Sequence, residues 1–391
     1  MLYSDHSAKE TNAMIIKNLN IYSTEQRLFY FGDIKIEDGI IKDIGEGLCS
    51  DGECIDGEGA YVVPGLIDVH THGILGNDWC LSDKEGYDKM ARAYAVAGVT
   101  TVMPTLSSAP YEKMVGATDA LNGYTPPRDA SSLAGVHWEG RYLNPEKKGA
   151  HAAELIMPLE PSELDAEALG RCKRLHISAA YELDRDGAFA KKAKSMGATL
   201  GLAHTMANYR EAKRAEEWGI SSYTHLFNAM PPLHHRDGGC IAAAFEGDRY
   251  AEIICDGIHI APEMIRLAYR NLGAERLTLI SDSLDATGLP DGNYFSSGLP
   301  VTVKDGICRI STGALAGSTI TLDKAVRNLM SFCGIPLTEA VISATATPAR
   351  QVNIFDSCGS IDIGKRADML FLRSGDALDI DRVMIRGEFV C

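Results

Sequence analysis

The chain has 391 residues, 45% of them hydrophobic and 23% charged, the make-up of an ordinary globular protein. That length exceeds one small domain and suits either a large α/β barrel with an accessory module or two medium domains. A formal charge of −15 argues against nucleic acid or an anionic membrane as partner.

The polar residues 1–13 read as an extension without a signal-peptide apolar segment, and no later run is long and apolar enough to span a membrane. Residues 14–63 alternate apolar and polar positions, with Asp38-Gly39 marking a hairpin. The same texture returns over 351–391, so the two ends are expected to form one small β-domain. Between them, 64–350 alternates short β-branched runs with amphipathic helical patterns. Strands are expected at 62–67, 99–103, 133–137, 174–179, 199–203, 222–225, 252–255 and 277–281. Helices are expected at 83–97, 162–173, 184–196, 207–218 and 262–272. About eight βα units in one stretch imply a (β/α)8 barrel with a parallel sheet buried on both faces. A doubly wound sheet competes, but no GxGxxG phosphate fingerprint supports it. Ten cysteines without a CxxC pair read as reduced thiols of a cytoplasmic protein, with Cys54, Cys240, Cys255, Cys308 and Cys333 as core filler.

A barrel demands its reactive side chains where strands end. Val62-Val63-Pro64-Gly65-Leu66-Ile67-Asp68-Val69-His70-Thr71-His72 closes an apolar run with two histidines two residues apart, which point the same way on a strand. Asp68 is a carboxylate suited to orient one of them. Glu139 follows strand three, His204 strand five, His225 strand six, His259 strand seven and Asp282 strand eight. Singly, a strand-end histidine is a hydrogen-bonded structural residue. Together, Glu139, His204 and His225 make a three-ligand set with a position left open for water. His70 and His72 can complete a second site bridged by Glu139. Asp282 at the strand boundary suits a proton carrier better than Asp285, which is expected on a solvated loop. Asn228, its neighbouring N–H groups and Arg236 suit an anion such as phosphate, whereas His151 alone reads as a surface histidine.

Assembled, these pieces resemble the amidohydrolase superfamily and, within it, the N-acetylglucosamine-6-phosphate deacetylases. The likeness runs from about Met14 through PGLIDVHTHG, HWEGRYLNPEKKGAH, AHT, THLFNAM, HHRDGG, DGIH, ISDSLDATG and GSIDIGKRADMLFL. It implies a distorted (β/α)8 barrel over 64–350 and a β-sandwich from 14–63 and 351–391. It further implies zinc or iron, one or two ions per subunit, held by Glu139, His204 and His225, with His70 and His72 available for a second. By the same likeness Asp282 is general base and acid, His151 polarises the amide carbonyl and His259 contacts the sugar. Asn228 and Ala229 hold the phosphate, with Arg236 acting across a homodimer. The family has Pro and an aromatic after Glu-Gly; this chain has Arg141-Tyr142, which leaves N-acetylgalactosamine 6-phosphate as an alternative and puts a cation where it can meet substrate or a carboxylate. Hydantoinase-like relatives carry a lysine after strand four; here 176–182 reads HISAAYE. A catalytically silent homologue lacking metal ligands is the remaining alternative, and every expected ligand is present.

Overall fold

The computed structural model describes residues 13–49, 52–296 and 298–390; of the expected N-terminal extension, 1–12 lie outside the described residues. Both ends build one eight-stranded sheet. Its order runs Glu388–Phe389, Ile380–Ile385, Met369–Leu372, Tyr61–Pro64, Ala13–Ser23, Leu28–Glu37 and Ile40–Gly45, with Glu53–Asp56 also on Ala13–Ser23. The long strand bulges between Ile16 and Leu19 and changes partner from Glu53–Asp56 to Tyr61–Pro64. That break lets the sheet enclose its own core, which includes Ile16, Ile34, Val62, Phe371 and Met384. Asp38 and Gly39 turn the expected hairpin, both at positive φ, as the two-residue turn requires.

The middle forms the parallel barrel. Its strands are Leu66–Thr71, Val99–Leu106, Val136–Glu139, Leu175–Ala179, Thr199–Leu202, Ser222–Tyr223, Tyr250–Ile254 and Leu277–Ile280, each paired in parallel with the next. Strands such as Val99–Leu106 are buried at every position, as helices outside and side chains inside demand. Among the described residues no ladder joins strand eight to strand one. Asp68 closes that seam instead: its Oδ1 accepts the N–H groups of His70 and Ser281, each at 3.3 Å.

Several expectations need correcting. The first barrel strand is not 62–67, because Gly65 divides two strands there. Val62 and Val63 pair with Phe371 and Leu370 in the end sheet, while Leu66 begins the barrel. A Cβ at Gly65 would lie 2.2 Å from the Thr100 side chain, so only glycine fits the crossing. The expected helix at 162–173 is a 3-10 turn, Pro161–Asp165, followed by a single helical turn, Glu167–Gly170. Cys54 lies exposed on a short strand, whereas Cys240, Cys255 and Cys308 are buried. A small antiparallel sheet, Gly292–Ser296, Leu299–Lys304 and Ile307–Ile310, rises after strand eight and was not expected. Asp305-Gly306 at its second hairpin is the same turn signal as Asp38-Gly39. No helix among the described residues is long and apolar enough to cross a membrane.

Candidate active site

The strand ends gather around a cavity of about 360 Å³ at the C-terminal mouth of the barrel. Glu139, buried at the end of strand three, is its hub. Oε1 lies 2.9 Å from His225 Nε2 and 3.4 Å from His204 Nε2. Oε2 lies 3.0 Å from His72 Nε2 and 3.4 Å from His70 Nε2. Asp282 Oδ1 completes the second cluster, 3.3 Å from His72 Nε2 and 3.6 Å from His70 Nε2. One glutamate therefore faces two groups of imidazoles, one with each oxygen.

The backbone is bent to achieve this. His204, His225 and Asp282 hold φ of 43°, 32° and 48°, left-handed values that cost a non-glycine residue free energy and persist only where neighbours enforce them. Asp282 shows the enforcement: its N–H donates to His70 O at 2.9 Å and its carbonyl accepts the Ser318 N–H at 2.7 Å.

Hydrogen bonds behind the rings set the tautomers. His204 Nδ1 faces Lys147 O at 2.7 Å and His70 Nδ1 faces the Glu252 carboxylate at 3.0 Å. Neither partner can donate, so both rings carry their proton on Nδ1 and turn an Nε2 lone pair toward Glu139. His72 Nδ1 is held by Ser107 Oγ at 2.8 Å. Lone pairs and carboxylate oxygens thus converge within 4 Å, an arrangement held together only by protons or by a cation among them. Among the described residues His70 Nε2 makes no hydrogen bond, and two groups, His70/His72/Asp282 and Glu139/His151/His204, have donor atoms within 4.8 Å of one another. The donor set fits a divalent metal.

Charge in the site follows the same geometry. Burial opposes ionisation of Asp282, but His70 and His72 outweigh it and hold the carboxyl below its usual range. Burial likewise works against the charged form of His72, yet Asp282 and Glu139 raise it to about 9. His151 goes the other way: burial, and then His204 beside it, push it down to about 3. Ser108 Oγ accepts the Arg141 N–H at 2.9 Å and lies 2.9 Å from His151 Nδ1. Its hydroxyl keeps one hydrogen and one lone pair and so pairs with Nδ1 in either tautomer, while Nε2 lies 3.9 Å from Glu139 Oε2 at the cavity.

His151 is thus a buried member of the cavity wall and not a surface histidine. Asn228, Ala229 and His259 line the same cavity, and Asp256 Oδ2 orients His259 Nδ1 at 2.7 Å. Arg236 is not brought in: it is exposed, outside the lining, with Nη1 2.8 Å from His235 Nε2. Arg141 also stays out. Its guanidinium is buried against Glu163, Nη2 to Oε1 at 3.0 Å, and meets a carboxylate rather than the cavity. Asp68 orients no ring, since it clamps the barrel seam. Asp285, expected in solvent, is half-buried, and burial raises it to about 6. Sequence reading missed Glu252, Ser107 and Ser108, which contact the rings from behind. Only Glu252 carries a sequence signal, a lone charge inside the apolar strand Tyr250–Ile254.

Comparison with known proteins places these features in a family. The amidohydrolase family model matches residues 61–390. N-acetylglucosamine-6-phosphate deacetylase of Vibrio furnissii is 32% identical over 84% of this chain and 82% of the relative. N-acetylgalactosamine-6-phosphate deacetylase of Escherichia coli O157:H7 is 32% identical over 83% and 86%. Among solved structures, the Thermotoga maritima N-acetylglucosamine-6-phosphate deacetylase superposes with a TM-score of 0.84 at 31% identity, covering 97% of this chain and 99% of the other. A point mutant of the Mycobacterium smegmatis enzyme, in complex with N-acetyl-D-glucosamine-6-phosphate, also gives 0.84, at 28% identity and 97% and 99% coverage. By sequence and by architecture, the chain belongs to the amidohydrolase family.

Proposed function

We propose that the protein hydrolyses the acetamido group of N-acetylglucosamine 6-phosphate, releasing acetate and glucosamine 6-phosphate. The observation that carries this reading is the pairing of Asp282 with a two-sided Glu139/histidine cluster, in a chain whose relatives deacetylate hexosamine 6-phosphates. Glu139, His204 and His225 would hold one divalent ion, zinc or iron, and His70 and His72 with Glu139 a second. Metal bound there supplies Lewis-acid polarisation and acidifies a water.

The chain's own residues do the rest. Asp282, 3.3 Å from His72 Nε2 and 3.6 Å from His70 Nε2, takes the proton of the water that attacks the acetyl carbon. His151, neutral, donates its Nε2–H to the oxyanion that develops. Asp282 then returns its proton to the nitrogen, so the C–N bond breaks toward a neutral amine. Asn228 and the N–H of Ala229 hold the phosphate and His259 a sugar hydroxyl. Arg236, exposed on its own subunit, would reach the phosphate of a partner's site, which makes the working form a homodimer. On this reading 64–350 is the catalytic barrel, 14–63 with 351–391 its sheet domain, and the enzyme works in the cytoplasm.

N-acetylgalactosamine 6-phosphate is the second reading, because a relative named for that substrate is as identical as those named for the glucosamine sugar. Acetate release from both phosphosugars and from unphosphorylated N-acetylglucosamine, with wild type and Asp282→Asn, tests the proposal. It expects turnover of a phosphosugar, lost in the variant. No acetate from any of the three would overturn the substrate assignment. Equal turnover with and without phosphate would remove the phosphate role from Asn228, Ala229 and Arg236.

A further inference from the structure

Glu252 is a fully buried carboxylate inside the barrel that the proposed chemistry does not use. Its Oε2 stands 3.0 Å from His70 Nδ1 and accepts the backbone N–H of His225 at 3.4 Å. Its own carbonyl accepts the Leu226 N–H at 2.8 Å. Behind it, Oε1 accepts Gln351 Nε2 at 2.6 Å, and Gln351 Oε1 accepts the Thr278 hydroxyl at 2.7 Å. Among these bonds no lysine or arginine meets the carboxylate, and an ionised group so buried is costly unless hydrogen bonds compensate it. Each of those bonds has a direction. The Glu252 carboxylate can only accept, so the Gln351 amide turns its nitrogen to Oε1 and its oxygen to the Thr278 hydroxyl, leaving Oε2 for His70. His70 must then donate from Nδ1, and its bare Nε2 is turned toward Glu139 and Asp282, where it makes no hydrogen bond.

We propose that Glu252 is the positioning residue of the metal site. It fixes His70 as its Nδ1–H tautomer and ties strand seven to both histidine clusters, presenting His70 Nε2 to a divalent cation. Gln351, from the short helix Ala346–Gln351, sets which carboxylate oxygen performs this task. The inference rests on the metal reading of the site given above.

A carboxylate present only to fill the core would serve as well if replaced by an amide of the same volume; one that orients His70 would not. In Glu252→Gln, with the Gln351 amide oriented as in the wild type, both His70 Nδ1–H and Gln351 Nε2–H need the single remaining oxygen, so one of them faces an NH2. The double variant Glu252→Gln/Gln351→Glu gives every donor an acceptor again. The full-length proteins are compared by bound zinc per chain, by zinc affinity against a chromophoric chelator, and by the imidazole 15N shifts of the zinc-free forms. Expected is a zinc affinity about 10- to 100-fold weaker in Glu252→Gln, a His70 ring shifted from the Nδ1–H tautomer, and recovery of both in the double variant. Wild-type zinc affinity and tautomer in Glu252→Gln would overturn the role of Glu252 and leave the metal reading standing. If Glu252→Gln does not fold, a folded double variant without wild-type zinc affinity overturns it equally. Wild-type protein that binds no zinc or iron would overturn the metal reading, and this inference with it.

Discussion

Replacing Glu163 by leucine removes the charge that faces the Arg141 guanidinium. Three bonds vanish: Arg141 Nη2 to Oε1 at 3.0 Å, Arg141 Nε to Oε2 at 3.4 Å, and the Tyr142 hydroxyl to Oε2 at 2.7 Å. Arg141 is 5% exposed and Tyr142 fully buried, so neither donor regains water freely. Breaking a buried pair from one side costs about 3–5 kcal/mol. Here the Glu163 side chain is 25% exposed and Arg141 keeps its bond to Ala109 O at 3.2 Å, which lowers the expectation to roughly 2–4 kcal/mol. At about 2.1 cal/mol/K of unfolding entropy per residue, a chain of 391 residues carries about 0.8 kcal/mol/K, so Tm falls by about 2–5 °C. Thermal scans and urea titrations of Glu163→Leu, Arg141→Met and the double variant measure this. The double variant recovers most of the loss, because well-packed apolar groups replace a buried ion pair at little cost. Activity stays near wild type throughout, since Arg141 touches the site only through its backbone N–H on Ser108. An Arg141→Met enzyme of normal stability whose KM for the phosphosugar rises tenfold would refute the reasoning and make Arg141 a reader of substrate.

Asp285→Asn stabilises the protein at pH 7.5 but not at pH 4. Burial raises the Asp285 carboxyl from 3.8 to about 6, so the folded state favours its protonated form, and that contribution, complete below about pH 4, is lost as pH rises through 6. Asparagine does not ionise; the gain is at most about 3 kcal/mol and, after discount for partial exposure, about 1–2 kcal/mol. A Tm difference independent of pH would contradict it. Gly65→Ala forces a Cβ to 2.2 Å from the Thr100 side chain and should cost about 2–4 kcal/mol. Thr100→Ala recovers only part of this, as its own Cβ remains at 2.7 Å; a Gly65→Ala protein with wild-type Tm would show the crossing to be adaptable. His151→Asn lowers kcat by about 10²–10³ without moving the acid limb of the kcat/KM profile, because a group at about 3 is already neutral at pH 5. An acid limb that shifts would mean that His151 itself titrates there.

The sequence by itself determined what depends on local order. Alternating side chains and Asp-Gly turns mark the end sheet, because strand period and turn conformation are properties of a few neighbouring residues. His204, His225 and Asp282 stand at strand ends for the same reason, and barrel architecture turns strand ends into one mouth. Tertiary structure decided everything that needs a distant partner. Glu252 meets His70 across 182 positions and Ser107 meets His72 across 35, so no local pattern announces either pairing, and with them go the ring tautomers. Arg141, two residues from the hub of the site, could by sequence meet either substrate or a carboxylate; Glu163, on a separate turn, claims its charge. Arg236 shared a loop with Asn228, yet eight residues of loop carry it out of the cavity. Proximity along the chain fixes conformation over a few residues, whereas which charges meet is settled only when the barrel closes.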